Sequence, residues 1–282
     1  MVPMIIISIF SMVLQNGLVN YITKKKLRTN AAVLSFNMLV YLLCIIAFGI
    51  LLLTESLSWY TVGLGLLFGI VTSLADAYRL LALSKGPMHL TLLVTTSSMI
   101  IPAMSGIFWG ERFSFAKLLA VFVLVIFLYL SFEKNISIKA GKTWALFSFL
   151  AFLFQGAIGI LQKIHQSSAH REENAGFLLV AFICAEVFCL TRNKGKFDTS
   201  LLTGKTVGIG LICGCCVFAM NFINLKLSGI LPSQLFFPLI NGSAIVMSSL
   251  VSVFLFKEGL TKRQTIGLIG GILSLCAICI LP

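Results

Sequence analysis

Two ionisable residues that fall inside a long apolar run define where chemistry is possible in this chain. Asp76 and Arg79 lie three positions apart in a run covering residues 59–83, a spacing that places both on one face of a helix. An Asp or Arg near the centre of a membrane helix costs about 2.5–3.5 kcal/mol on the insertion scale. The two therefore predict a mutual ion pair or a polar pathway rather than random placement. A carboxylate beside a guanidinium suits a zwitterion, with the ammonium drawn to Asp76 and the carboxylate to Arg79. The competing reading has Arg79 reaching the nearby membrane surface while Asp76 neutralises it.

A second set of polar residues is neutral. Asn16 and Asn20 in the first apolar run, Gln155 in the sixth, Asn221 and Asn224 in the eighth and Asn241 in the ninth are candidate substrate-binding groups. Hydrogen bonds between helices are the alternative role, worth about 0.6–2 kcal/mol each. His89 and Gln234 each follow a proline by two residues, which places them in the first turn of a helix, where they cap the helix or line a cavity. Asp76 and Glu186 are the acidic residues inside apolar runs, so these two are the proton-coupling candidates; Glu186 also balances Arg192 and Lys194 nearby. Catalysis is not expected. His165 and His170 fall in a loop, His89 stands alone, and the eight cysteines lie within apolar segments. Cys276-x-x-Cys279 has the spacing of metal ligands but no accompanying His or carboxylate, so the expectation is no metal and no cofactor. No P-loop is present, so ATP is not used directly.

The elements that position these residues are long and apolar. Hydrophobic residues make up 59% of the chain and charged residues 11%, with a mean hydropathy of +1.04; a soluble domain carries about 25% charged residues. The apolar runs are about 20 residues long, enough for a helix to cross a hydrocarbon layer of about 30 Å. Ten are read: 3–22, 31–53, 59–83, 88–109, 114–132, 144–163, 175–191, 205–227, 231–256 and 264–281. The predicted class is an all-α integral membrane protein of ten transmembrane helices. The net charge of +12 lies between the runs, where it sets topology rather than binding nucleic acid. The expected partners are a small-molecule substrate and the lipid bilayer, with the chain a monomer or homodimer. No basic segment precedes the first run and no small-residue cleavage site follows it, so no cleavable signal peptide is expected.

The chain also repeats itself. Thr61-Val62-Gly63-Leu64-Gly65-Leu66-Leu67-Phe68-Gly69 returns 145 positions later as Thr206-Val207-Gly208-Ile209-Gly210-Leu211-Ile212-Cys213-Gly214, with six of nine residues identical. The same offset pairs Asp76 with Asn221, Arg79 with Asn224, Pro87 with Pro232 and His89 with Gln234. Gly65-x-x-x-Gly69 and Gly210-x-x-x-Gly214 are read as packing stems, because small residues let helices approach closely in lipid. In the first run of each half, Asn16-Gly17 matches Gln155-Gly156. Residues 1–140 and 141–282 are thus read as two five-helix repeats. Basic residues fall fifteen to five in favour of the odd-numbered loops, which places those loops in the cytoplasm and both termini outside an inner (cell) membrane. With five spans each, the repeats are inverted.

Ten spans, the 5+5 duplication, and Trp109-Gly110-Glu111-Arg112 and Phe256-Lys257-Glu258-Gly259 closing the fourth and ninth spans make the chain resemble the drug/metabolite transporter (DMT) superfamily, in its EamA-type ten-helix form. The resemblance covers essentially the whole chain. It implies two inverted repeats around a central cavity lined mainly by spans 1, 3, 4, 6, 8 and 9, and a carrier working by alternating access. Most characterised members export amino acids or other small metabolites. One departure is the loop Thr54-Glu55-Ser56-Leu57-Ser58, which lacks the basic residues common after span 2 in similar proteins. The expected function is a secondary transporter of a small metabolite, an amino acid or other zwitterion. Movement of amphiphilic or lipid-linked compounds, and a non-transporting membrane scaffold, are the alternatives.

Overall fold

In the computed structural model, residues 1–25, 29–85, 88–131, 141–256 and 261–281 are described. They form eleven α-helices in chain order: α1 (Val2–Lys25), α2 (Asn30–Leu52), α3 (Trp59–Lys85), α4 (Met88–Ser97), α5 (Ile100–Ser105), α6 (Phe115–Ser131), α7 (Lys142–Gln166), α8 (Asn174–Arg192), α9 (Gly204–Ile230), α10 (Ser233–Phe256) and α11 (Lys262–Ile280). Short 3-10 turns cover Gly106–Trp109 and Thr199–Leu201. There is no strand among the described residues. Eight helices are long and apolar enough to cross a membrane, and two further apolar stretches, Leu93–Trp109 and Phe115–Ser131, are shorter. Large hydrophobics such as Phe10, Ile46, Ile126, Phe149 and Leu273 are exposed. An apolar exterior of this kind suits lipid rather than water, consistent with a multi-pass α-helical membrane protein.

Every expected run contains a helix, but the fourth is not continuous. Its segment divides into α4, α5 and a 3-10 turn that ends at Gly110, whose φ of 69° is left-handed. Pro102 supplies no N–H and its ring crowds the carbonyl four residues earlier, that of Ser98. The chain responds with three-residue bonds, Met99 N to Thr96 O at 3.3 Å and Ile101 N to Ser98 O at 3.0 Å. The Ser98 hydroxyl adds a bond to Thr95 O at 2.6 Å. Other helix ends follow local chemistry. Thr29 Oγ1 accepts from Ala32 N at the start of α2, and Thr261 with Gln264 forms a capping box on α11.

The chain divides into two compact units that interleave in sequence: residues 1–73 with 165–227, and residues 74–164 with 228–282. Helices α3, α7 and α9 contribute to both. In the first unit α2 packs along α8; in the second α6 packs along α11, and α5 against α10.

The duplicated glycine stretch occupies two packing faces in the first unit. A Cβ on Gly65 would lie 2.9 Å from Phe177 O and 3.1 Å from Val180 Cβ, and one on Gly69 would lie 2.6 Å from Cys184 Cβ. The stem of α3 is therefore pressed against α8. The stem of α9 is pressed against α2, where a Cβ on Gly210 would meet Leu39 and one on Gly214 would lie 2.9 Å from Leu43 Cδ2. Just ahead of each stem sits a hydroxyl pair. Ser58 Oγ and Thr61 Oγ1 are 3.2 Å apart at the start of α3, and Thr203 Oγ1 and Thr206 Oγ1 are 2.9 Å apart at the start of α9. Close approach of small residues explains the repeated glycines.

Candidate functional site

Asp76 and Arg79 lie past the middle of α3, in the second unit. Arg79 Nη2 donates to Asp76 Oδ1 at 3.1 Å, and their side chains remain 43% and 41% exposed. Arg79 Nε is shielded and has no hydrogen-bond partner among the described residues. Between them, Tyr78 stacks on Phe154 of α7 with ring centroids 5.6 Å apart and planes within 2°. The ring stack holds this part of α3 to α7. The ion pair itself stays open on both partners.

The expected amides take several different roles. Asn221 and Asn241 are half-buried, and each donates to a carbonyl of its own helix: Val217 O at 2.8 Å and Phe237 O at 3.0 Å. Asn224 Oδ1 accepts from the buried Ser8 Oγ at 2.5 Å, joining α1 to α9. Asn16 and Gln155 are exposed. Gln234 is buried, with Oε1 accepting from Ser114 N at 3.0 Å and Nε2 donating to Ser114 O at 3.3 Å. It sits in the first turn of α10 as expected, and its amide brackets the backbone of Ser114, the residue directly before α6. His89 also falls in the first turn of its helix, α4; its side chain, like that of Asn20, lies outside the described residues. Glu186 is half-buried on α8, with Oε2 shielded and unpartnered among the described residues.

The candidates are divided between the units. Asp76, Arg79, His89, Gln155, Gln234 and Asn241 belong to one, and Asn16, Asn20, Glu186, Asn221 and Asn224 to the other. Within either unit, Asp76 and Arg79 are the candidates joined directly to each other by a described bond.

Two polar clusters went unrecognised in the sequence. In the second unit, Lys163 Nζ lies 2.5 Å from Glu111 Oε1, with side-chain exposures of 7% and 17%. The same ammonium donates to Ser228 O at 2.9 Å and Leu231 O at 3.4 Å, beside the C-terminus of α9. Glu111 accepts from Ser233 N at 2.6 Å and Ser233 Oγ at 3.1 Å, at the N-terminus of α10. Cation and anion thus each complement a helix end. In the sequence Glu111 stands out only as part of the Trp109-Gly110-Glu111-Arg112 step that closes the fourth run, and Lys163 is one of the basic residues counted for topology. The available signal was the polar run Gln162-Lys163 at the end of an apolar helix and the Gly110-Glu111 step.

In the first unit, Glu173 precedes α8 and gathers donors from the segment before α3. Ser58 N and Oγ reach Glu173 Oε2 at 2.9 and 2.7 Å, and His170 Nδ1 lies 3.0 Å from Oε1. Tyr60 stacks over the His170 ring at 5.3 Å. Desolvation opposes ionisation of Glu173, but hydrogen bonds from Thr61, Ser58 and His170 outweigh it and hold the carboxyl at about 2. Glu55 Oε2 accepts from Ala175 N at 2.7 Å. Burial lifts Glu55 above its ordinary value, against the Ala175 and Gly176 amides and the charge of Lys226, which pull it down. These contacts bind the segment before α3 to the start of α8.

No protein-family model matches the sequence, and no curated protein matches it. Among solved structures, 28 chains match. One, described only as the crystal structure of a protein, superimposes with a TM-score of 0.70 at 12% identity, covering 99% of this chain and 98% of that one. Identity that low is a likeness of fold alone.

Proposed function

We propose that this chain is a secondary carrier that moves a small zwitterionic metabolite, an amino acid or a compound of similar charge, across a cell membrane. The observation that carries the reading is the Asp76–Arg79 pair. It lies in a helix of membrane-spanning length and composition, yet both side chains are about 40% accessible. An ion pair serving packing alone would be expected to close on itself. This one leaves guanidinium and carboxylate edges free for an incoming carboxylate and ammonium.

Inverted repeats are a common framework for alternating access, and reciprocal packing supports that architecture here. The α3 stem meets α8 through Gly65 with Val180 and Gly69 with Cys184; the α9 stem meets α2 through Gly210 with Leu39 and Gly214 with Leu43. An offset of 145 relates the glycines and one of 141 relates their partners, so the two contacts are one contact repeated with roles exchanged. The hydroxyl pairs Ser58–Thr61 and Thr203–Thr206 follow the 145 offset as well. The Asn224–Ser8 bond between α9 and α1 is matched, one residue out of register, by the Tyr78–Phe147 approach of α3 to α7. The reading is thus of ten spans, with α4 and α5 together forming the fourth, in two inverted halves of the EamA type. Both termini are external by the charge bias.

The test is a ligand screen by thermal unfolding of the purified full chain, because a ligand bound only by the folded state raises the melting temperature. An amino acid or related zwitterion should stabilise the native protein and not D76N or R79Q, and should be taken up by liposomes containing the native chain. A full panel of zwitterions that neither stabilises nor is transported refutes the reading.

A further inference from the structure

We propose that the Glu111–Lys163 pair is a releasable latch that holds a jointed helical segment closed against the α9–α10 turn. Within the carrier reading above, its release is a step of the transport cycle. The segment that carries Glu111 is jointed rather than one continuous helix. It begins at the Ser98–Met99 break, continues through the six residues of α5 and a 3-10 turn, and ends at the left-handed Gly110. Its other contacts are apolar and close: Ile101 lies against Gly156, and Pro102 against Gly159, where an added Cβ would lie 2.6 Å from Pro102 Cβ. Apolar contact is non-directional, so these contacts discriminate less sharply between arrangements than the polar ones do. The directional contacts follow the segment, at Glu111 and, three residues on, in the Ser114–Gln234 bonds; those at Glu111 are the charged ones.

Those contacts join three parts of the chain. Glu111 reaches Lys163 near the end of α7 and both donors of Ser233, while Lys163 reaches the carbonyls of Ser228 and Leu231. Gly106 makes room for the carboxylate, since a Cβ there would run into Glu111 Oε2. A buried ion pair is a poor way to add stability, because apolar residues of similar volume often do as well or better. It is a good way to hold one arrangement, because it is satisfied in that arrangement and unsatisfied when any partner shifts. The pair also has polarity. The carboxylate faces an α10 N–H group and the ammonium faces carbonyls beside the end of α9, so exchanging the two charges would restore their mutual attraction while reversing both helix-end contacts.

Hydrogen exchange of the full chain in lipid nanodiscs tests this without any substrate, so its result stands apart from that of the transport assay. Native protein is compared with E111Q, K163M and the charge-swapped E111K/K163E. Exchange in peptides covering residues 106–114 and 231–236 should rise on the order of tenfold or more in both single variants, the effect of losing a charge-assisted hydrogen bond. Peptides from α11, in the same unit, should not change, and the swap should protect no better than the single variants. In native protein at alkaline pH, the two latch peptides should convert between protected and exchanged populations at one shared rate. Four results overturn the latch: exchange unchanged in E111Q and K163M; acceleration shared by α11, which marks a structural brace; protection restored by the swap; or unrelated native conversion rates. Each single variant leaves one buried charge unpaired, so should either fail to fold, the other variant and the conversion rates of the native protein still decide the matter.

Discussion

Replacing Glu173 with glutamine should lower stability near neutral pH and abolish a specific acid dependence. The carboxyl receives Ser58 N at 2.9 Å, Ser58 Oγ at 2.7 Å and His170 at 3.0 Å, and these donors with Thr61 hold it at about 2 instead of the ordinary 4.5. That difference corresponds to about 3 kcal/mol of preference for the charged form in the folded protein. The sign follows from the depressed value. Above the unfolded value near 4.5, Glu173 is ionised in both states and its contribution is complete; it fades as pH falls toward about 2, where the folded form takes up the proton. Thermal unfolding in detergent, measured from pH 7 to 2 for native protein and E173Q, reads this directly. The native chain should melt about 5 °C or more above E173Q at pH 7, and the gap should close between about pH 4.5 and 2. Glu55 and the other carboxylates titrate in both proteins, so they largely cancel in the difference. Parallel curves across the whole range would refute the idea that these donors recognise a charged carboxylate.

Two further outcomes follow from the packing and the ion pair. Gly69→Ala should destabilise by about 1–3 kcal/mol, because the new Cβ would lie 2.6 Å from Cys184 Cβ and 2.8 Å from the Ala181 carbonyl. Gly210→Ala should be near neutral: its obstacle is the movable end of Leu39, and alanine returns up to about 1 kcal/mol of helix propensity. Chemical unfolding of the two variants side by side checks the contrast. Asp76→Asn and Arg79→Gln should each change stability by less than about 1 kcal/mol, since both partners are more than a third exposed; melting curves alongside the transport assay separate a chemical loss from a folding one.

Apolar length was a reliable guide to the helices, because a run of about 20 apolar residues has few stable alternatives in a bilayer. Helix starts were also visible locally: Ser58, Thr203 and Thr261 are hydroxyl residues directly before α3, α9 and α11. The division of the fourth run was less legible. Pro102 marks it, but a proline inside an apolar run is compatible with a spanning helix, and the deciding event is where freed carbonyls find new donors. Asp76–Arg79 was readable because i,i+3 spacing is a local property. Glu111–Lys163 was not, because its partners are separated by 52 positions and meet only through tertiary packing. Taken locally, Lys163 is one of many basic residues at an apolar boundary.

What a polar side chain does in so apolar a protein depends on the bonds it has already made. Asn221 and Asn241 return an amide hydrogen to their own helices, Asn224 holds Ser8, and Gln234 brackets Ser114. Each then offers a ligand fewer free directions than its residue type implies. Glu55, Glu111 and Glu173 accept from backbone N–H groups of other segments, so their charge is already used to fix connections. Asp76 and Arg79 differ: they meet through one bond, remain about two-fifths exposed, and leave Arg79 Nε unpartnered among the described residues. The repeat sharpens the contrast, because the positions equivalent to this pair are Asn221 and Asn224, amides already engaged in hydrogen bonds. On the carrier reading proposed above, charge present at only one copy of the repeated sequence would place recognition on α3, and substrate selectivity should then follow substitutions there more closely than substitutions at the matching positions of α9.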